Sequence, residues 1–176
     1  MMATVVLDAG HGGSDSGAVY GSRVEKDDVL ALTLAVGNIL ERSGVDVLYT
    51  RTDDIYETPL QKATEANVAG ADYFVSIHRN STPVPNSYSG VETLVYNRGG
   101  KAYELASNIN ERLSAIGFNN LGINERKNLV VLRRTAMPAV LLEIGYVNTE
   151  ADNVFFDARF NEIADAIALG ILETVQ

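Results

Sequence analysis

The stretch Val5-Val6-Leu7-Asp8-Ala9-Gly10-His11-Gly12-Gly13 constrains this chain more than any other. A run of β-branched and aliphatic residues predicts a buried strand, and the glycines behind it stop that strand around a single imidazole. His11 thus stands at a strand's C-terminal end. The only other histidine, His78, closes a second apolar run, Tyr73-Phe74-Val75-Ser76-Ile77. In open α/β sheets ligands bind along the edge where strand C-termini line up, so two imidazoles far apart in sequence are expected to meet there.

The remaining pattern supports such a sheet. Residues Gly10 to Val24 hold five glycines and predict a long loop over the sheet edge. A helix is expected from about Glu25 to Arg42, with an acidic first turn and Val29, Leu32, Val36, Ile39 and Leu40 at helical spacing. Val45 to Thr50 reads as a strand, and Thr58-Pro59 opens a short helix to about Val68. With the strand Tyr73 to Ile77 the order is β-α-β-α-β, which predicts parallel strands with right-handed crossovers.

Arg79 to Ser89 reads as a surface loop and Val91 to Tyr96 as the next strand. Ala102, Leu105, Ile109, Leu113 and Ile116 mark a long helix, Asn119 to Asn128 is polar and irregular, and Leu129 to Leu132 is predicted as a short strand. Ala139 to Ile144 is a strongly apolar strand broken only by Glu143, and a final helix is expected from about Ala158 to Thr174. No repeat or linker interrupts this order, so residues 1–176 are expected to form one domain, a length that buries roughly two thirds of the unfolded surface.

Charge and residue usage exclude several functions. The net charge of −9 opposes binding to nucleic acid or an anionic membrane surface, which need a basic footprint. Absence of cysteine removes disulfides, thiolate metal sites and cysteine nucleophiles. No segment approaches the ~18 consecutive apolar residues of a membrane helix, and the chain enters a strand at once without a signal-peptide pattern. Gly10 to Asp15 begins like a dinucleotide fingerprint but carries Asp15 where the third glycine belongs, and neither histidine lies near a serine nucleophile elbow.

Each histidine alone could cap a strand, and Glu25 alone could simply answer the helix dipole. Together they differ. The N-terminus of a crossover helix lies at the same edge as the strand C-termini, so Glu25 can reach His11 and His78, and two imidazoles with one carboxylate form a recurrent catalytic zinc shell. Glu143 resists a structural explanation, because an ionised carboxylate within Val140-Leu141-Leu142-Glu143-Ile144 costs several kcal/mol unless paired or placed at a functional edge. An ion pair with Arg133 or Arg134 is the structural alternative to its facing the metal. Asp8 and Asn80 are candidates for orienting the histidines.

These motifs resemble the zinc-dependent N-acetylmuramoyl-L-alanine amidases of bacterial cell walls and phage endolysins, the amidase type 3 family. The matching elements are Leu7 to Gly13 with Asp15 and Gly17-Ala18, then Glu25-Lys26, Tyr49 to Asp54, Ala66-Asn67, Ser76 to Ser81, Gly90 to Thr93 and Met137 to Tyr146. They run nearly the full length in the family's order. Two positions depart: Arg79 stands where the family usually has a small residue, and Asn148-Thr149 replaces a Ser/Thr-Asn pair.

The resemblance implies an α/β domain with a twisted, mixed, largely parallel six-stranded sheet between helices. It implies His11, Glu25 and His78 as ligands of one Zn2+ and Glu143 as the catalytic carboxylate. It further implies hydrolysis, in peptidoglycan, of the amide between the lactyl group of N-acetylmuramic acid and L-alanine of the stem peptide. Action at the bacterial cell wall follows, by an endolysin released through the membrane or a trimmed secreted enzyme. The acidic charge points to a separate or removed wall-binding module. The other readings are a noncatalytic peptidoglycan-binding domain with a structural metal, and a metal-dependent deacetylase.

Overall fold

Parallel strands need a crossover between them, usually a helix, whereas a chain that turns back without one runs antiparallel. Both connections occur here. A computed structural model describes residues 2–176. In chain order the elements are β1 (Thr4–Ala9), the hairpin β2 (Val19–Tyr20) and β3 (Arg23–Val24), α1 (Glu25–Arg42), β4 (Asp46–Tyr49), α2 (Pro59–Ala69) and β5 (Tyr73–Asn80). β6 (Val91–Val95), α3 (Gly100–Ala115), β7 (Asn120–Glu125), α4 (Val130–Arg133), β8 (Ala139–Tyr146), α5 (Glu150–Ala158) and α6 (Phe160–Val175) complete them.

Six strands form one sheet in the order β4-β1-β5-β8-β6-β7. The β4, β1, β5 and β8 ladders are parallel, and β6 runs antiparallel to β8 and parallel to β7. The reversal has a local cause. No helix separates β5 from β6, so the loop after Asn80 returns the chain from the edge where β5 ended. β6 therefore begins at the edge where β5 and β8 end, bringing Glu92 level with Glu143 and Glu143 level with His78.

Alternation along the strands divides the two faces. Val5, Leu7, Val75, Ile77, Val140, Leu142 and Ile144 face the larger core beneath α1, α3 and α6. Val6, Phe74, Leu94, Ala139 and Leu141 face a smaller one closed by Ala66 of α2 and by Val131 and Leu132 of α4. On this second face the apolar side chains give way to Asp8, Ser76, His78, Glu143 and Glu92 towards the strand ends, where the covering helices are short.

α1 occupies the predicted span, with Val29, Leu32, Val36 and Leu40 wholly buried. α2 starts as expected, with Thr58 and Gln61 forming a capping box across Pro59 at the first helical position. Three predictions are corrected. Leu129 to Leu132 is not a strand: it enters the helical turn α4, where Leu129 O accepts the N–H groups of Leu132 and Arg133. A four-residue apolar run has no period that separates strand from helix. The irregular segment 119–128 contains edge strand β7, concealed by its polar sequence, and α5 precedes a last helix that starts at Phe160. Among the described residues no helix is long and apolar enough to cross a membrane.

Candidate metal centre

His11 follows β1 in a left-handed backbone conformation, φ 62°, uncommon outside glycine and costing on the order of 1 kcal/mol. The surrounding loop is tied down on both sides. Gly12 and Asp15 exchange backbone hydrogen bonds, and the Arg51 guanidinium donates to the carbonyls of Ala9, Gly10, Lys26 and Asp53. Glu25 is the first residue of α1, and the loop itself caps that helix: Ala18 O accepts from Glu25 N and Ser16 O from Lys26 N. His78 projects from β5 across Gly10, where a Cβ would stand 2.3 Å from the ring's Cε1. Only a residue lacking that carbon lets the ring lie there.

Three ligand atoms converge. His11 Nε2 lies 3.1 Å from Glu25 Oε1, His78 Nδ1 lies 3.3 Å from the same oxygen, and the two nitrogens are 3.2 Å apart. Donors about 2.0–2.1 Å from a tetrahedral zinc ion are separated by roughly 3.3 Å, so this triangle has the dimensions of one face of such a shell. The donor set, two imidazoles and a carboxylate, also fits. His11, Glu25 and His78 are therefore a metal-site candidate, as their predicted meeting at the sheet edge requires.

The atoms behind the triangle fix its orientation. Asp15 Oδ2 lies 2.9 Å from His11 Nδ1; a carboxylate only accepts, so the proton sits on Nδ1 and the Nε2 lone pair is turned toward the triangle. Glu25, 4% exposed, accepts Arg79 N–H on Oε1 and Ala18 N–H on Oε2, each at 2.9 Å. Burial would raise this carboxyl, but hydrogen bonds and charge from both histidines outweigh it and hold Glu25 far below the usual carboxylate range. Burial likewise opposes charge on His11, yet Glu25 and Asp15 prevail and raise its imidazole.

Glu143 sits on β8 directly opposite His78. Its Oε2 is buried without a hydrogen-bond partner, and neither Arg133 nor Arg134 pairs with it. Burial first, then the charges of Glu25 and Glu92, push its pKa up to about 8, with His11 pulling weakly the other way. A buried carboxyl with a raised pKa beside a candidate metal site is suited to taking a proton.

Neither Asp8 nor Asn80 hydrogen-bonds to the histidines. Asp8, 1% exposed, accepts hydrogen bonds from Thr50 and Ser76 and pairs with Lys62 at 2.8 Å. This pair lines a cavity of about 270 Å³ together with His11, His78, Tyr56, Pro59 and Leu129. Asn80 instead donates to Glu92. The supporting role belongs to Asp15, whose place in a glycine-rich loop carries no periodic signal. Arg79 points to the larger core, where it meets Asp28, the carbonyl of Ile144 and the ring of Phe156.

Residues 5–173 match the family described as N-acetylmuramoyl-L-alanine amidase. The chain belongs to this family of hydrolases. It is 37% identical over 180 residues to the endolysin of Bacillus phage SPP1, covering 98% of this chain and 66% of that protein. It is 38% identical over 155 residues to the sporulation-specific N-acetylmuramoyl-L-alanine amidase of Bacillus subtilis, covering 86% of this chain and 59% of that one. The chain thus spans about two thirds of the length of these relatives or less. Among solved structures, the catalytic domain of CwlV, an N-acetylmuramoyl-L-alanine amidase from Bacillus (Paenibacillus) polymyxa var. colistinus, superposes with a TM-score of 0.91 at 37% identity, covering 99% of this chain and 100% of that domain.

Proposed function

We propose that residues 1–176 form the catalytic domain of a zinc amidase that cleaves peptidoglycan between the lactyl group of N-acetylmuramic acid and L-alanine of the stem peptide. The observation that carries this reading is the triangle of His11 Nε2, Glu25 Oε1 and His78 Nδ1, with edges of 3.1–3.3 Å, next to a buried Glu143 oxygen without a partner. His11, Glu25 and His78 would hold zinc, which would supply Lewis acidity to water, lowering its pKa toward ~7, and to a substrate carbonyl.

The chain's own residues do the rest. Asp15 keeps the His11 proton on Nδ1 throughout, and the N–H groups of Ala18 and Arg79 prevent Glu25 from rotating away. Glu143 accepts a proton from the attacking water and returns it to the amide nitrogen as the C–N bond breaks. Amide and water thus become a carboxylate on the glycan and an ammonium on the peptide. Burial raises the proton affinity of Glu143 above that of an exposed carboxyl, which strengthens it as the proton acceptor.

Action at the bacterial cell wall follows from that substrate. An acidic chain is repelled by anionic wall polymers, and the relatives are longer than this chain, so a wall-binding module, separate or covalently attached, is part of the proposal. The test pairs metal analysis with mass spectrometry of digested cell wall. One zinc per chain and newly exposed L-alanine amines are expected. Lost acetyl groups indicate a deacetylase, and intact wall with bound zinc indicates a noncatalytic binding domain; either result overturns the proposal.

A further inference from the structure

A second carboxylate lies on the same face of the sheet as Glu143, with no place in the mechanism above. Glu92 of β6 is directly opposite Glu143 of β8, the two side chains on one face of the sheet. Like charges directly across an antiparallel pair destabilise a sheet, and among the described residues no lysine or arginine forms an ion pair with either carboxylate. Glu92 is nevertheless held in place. Asn80 Nδ2 donates to its Oε1 and Asn124 Nδ2 to its Oε2, each at 2.9 Å, from strands on either side. Two amide donors thus fix the Glu92 carboxylate in place, while Glu143 Oε2 has none.

The chemistry of the cleaved bond says what such a carboxylate can meet. If Glu143 returns its proton to the leaving nitrogen, that nitrogen lies next to Glu143, and the peptide side of the substrate extends from there across β8 toward β6. We propose that Glu92, clamped by Asn80 and Asn124, is a further substrate-contacting residue that receives the amine side of the cleaved bond, pairing with the α-ammonium of the released stem peptide. Net hydrolysis converts a neutral amide nitrogen into that ammonium, so the contact strengthens as the product forms. This inference rests on the assignment of Glu143 as proton donor.

The test is binding. The metal-loaded protein is titrated with the tripeptide L-Ala-D-iGlu-L-Lys and with its propionyl analogue, which lacks only the α-ammonium. Wild type is expected to bind the amine form roughly ten- to hundred-fold more tightly, the scale of a hydrogen bond to a charged group. Glu92→Gln is expected to lose that preference while keeping its metal content and melting temperature. Should Glu92→Gln fail to fold, Asn124→Ala, which releases one oxygen of the same carboxylate, must cut the preference several-fold. Equal binding of the two peptides by wild type, or an undiminished preference in a folded variant, overturns the inference. L-Alanine amine release from cell wall by wild type is scored separately: release with an undiminished preference in Glu92→Gln removes the role of Glu92 alone, and no release removes the amidase reading with it.

Discussion

Asp15 Oδ2 stands 2.9 Å from His11 Nδ1 on the side of the ring away from Glu25 and His78. The same carboxylate accepts the Gly17 N–H through Oδ1, so a single residue orients the imidazole and tightens the loop that carries it. Removing such a partner typically weakens metal affinity 10–100-fold. Asp15→Ala is expected to fall in that range in competition with a chelator, and Asp15→Asn, which retains an acceptor oxygen, to lose less.

The exchange of a proton at Glu143 is expected to dominate the rate. Glu143→Gln keeps the shape of the side chain and cannot accept the proton, so cell-wall hydrolysis should drop by ~10²–10⁴-fold. Zinc stoichiometry should stay at the wild-type value. Metal analysis and a turbidity assay on the same preparation check both halves.

The raised Glu143 pKa makes the stability of the metal-free protein depend on pH. The carboxyl titrates near 4.5 when unfolded and at about 8 when folded, so the native state retains a proton that the unfolded state has released. This contribution to stability is complete below about 4.5 and is lost as pH rises toward about 8. Chemical denaturation of the metal-free protein should show a decline on the order of a few kcal/mol across that window, and Glu143→Gln should flatten it.

Gly10 is expected to be irreplaceable for a reason visible only at close range. A Cβ there would stand 2.3–2.6 Å from three atoms of the His78 ring, so Gly10→Ala has to displace the imidazole. Zinc binding should fall by more than tenfold, as expected for loss of one of the three proposed ligands. The change in melting temperature should be small beside that loss. Calorimetric zinc titration and a thermal melt separate the two effects.

The buried Asp8–Lys62 pair gives a further prediction. Lys62→Met leaves the Asp8 charge, 1% exposed, with two hydroxyl donors and no cation. Breaking a buried pair from one side costs about 3–5 kcal/mol, and denaturant unfolding should register it. Asp8→Asn together with Lys62→Met should recover much of the loss, because neither charge then remains.

Much of the site was legible because its residues are anomalies in an otherwise regular pattern. His11 and His78 end apolar runs, Glu25 opens a helix whose start lies at the same edge, and Glu143 interrupts an unbroken hydrophobic strand. What escaped were residues whose meaning depends on partners. Asp15 in a glycine loop, and Asn80 and Asn124 flanking Glu92, are ordinary polar residues until the strands are laid side by side. The edge strand β7 escapes because its sequence is polar, and the turn α4 because four residues are too few to show a period.

The sequence by itself determined the parallel core, the spans of α1 and α2 and which four side chains belong to one edge, since hydrophobic periodicity and capping are local properties. Tertiary structure alone decided which way β6 runs and therefore that Glu92 sits opposite Glu143. It also decided that three ligand atoms close to 3.1–3.3 Å and that Asp15 holds His11. Those relations hold between residues tens of positions apart or through a loop without regular form, where distance is set by packing and hydrogen bonding of the whole chain.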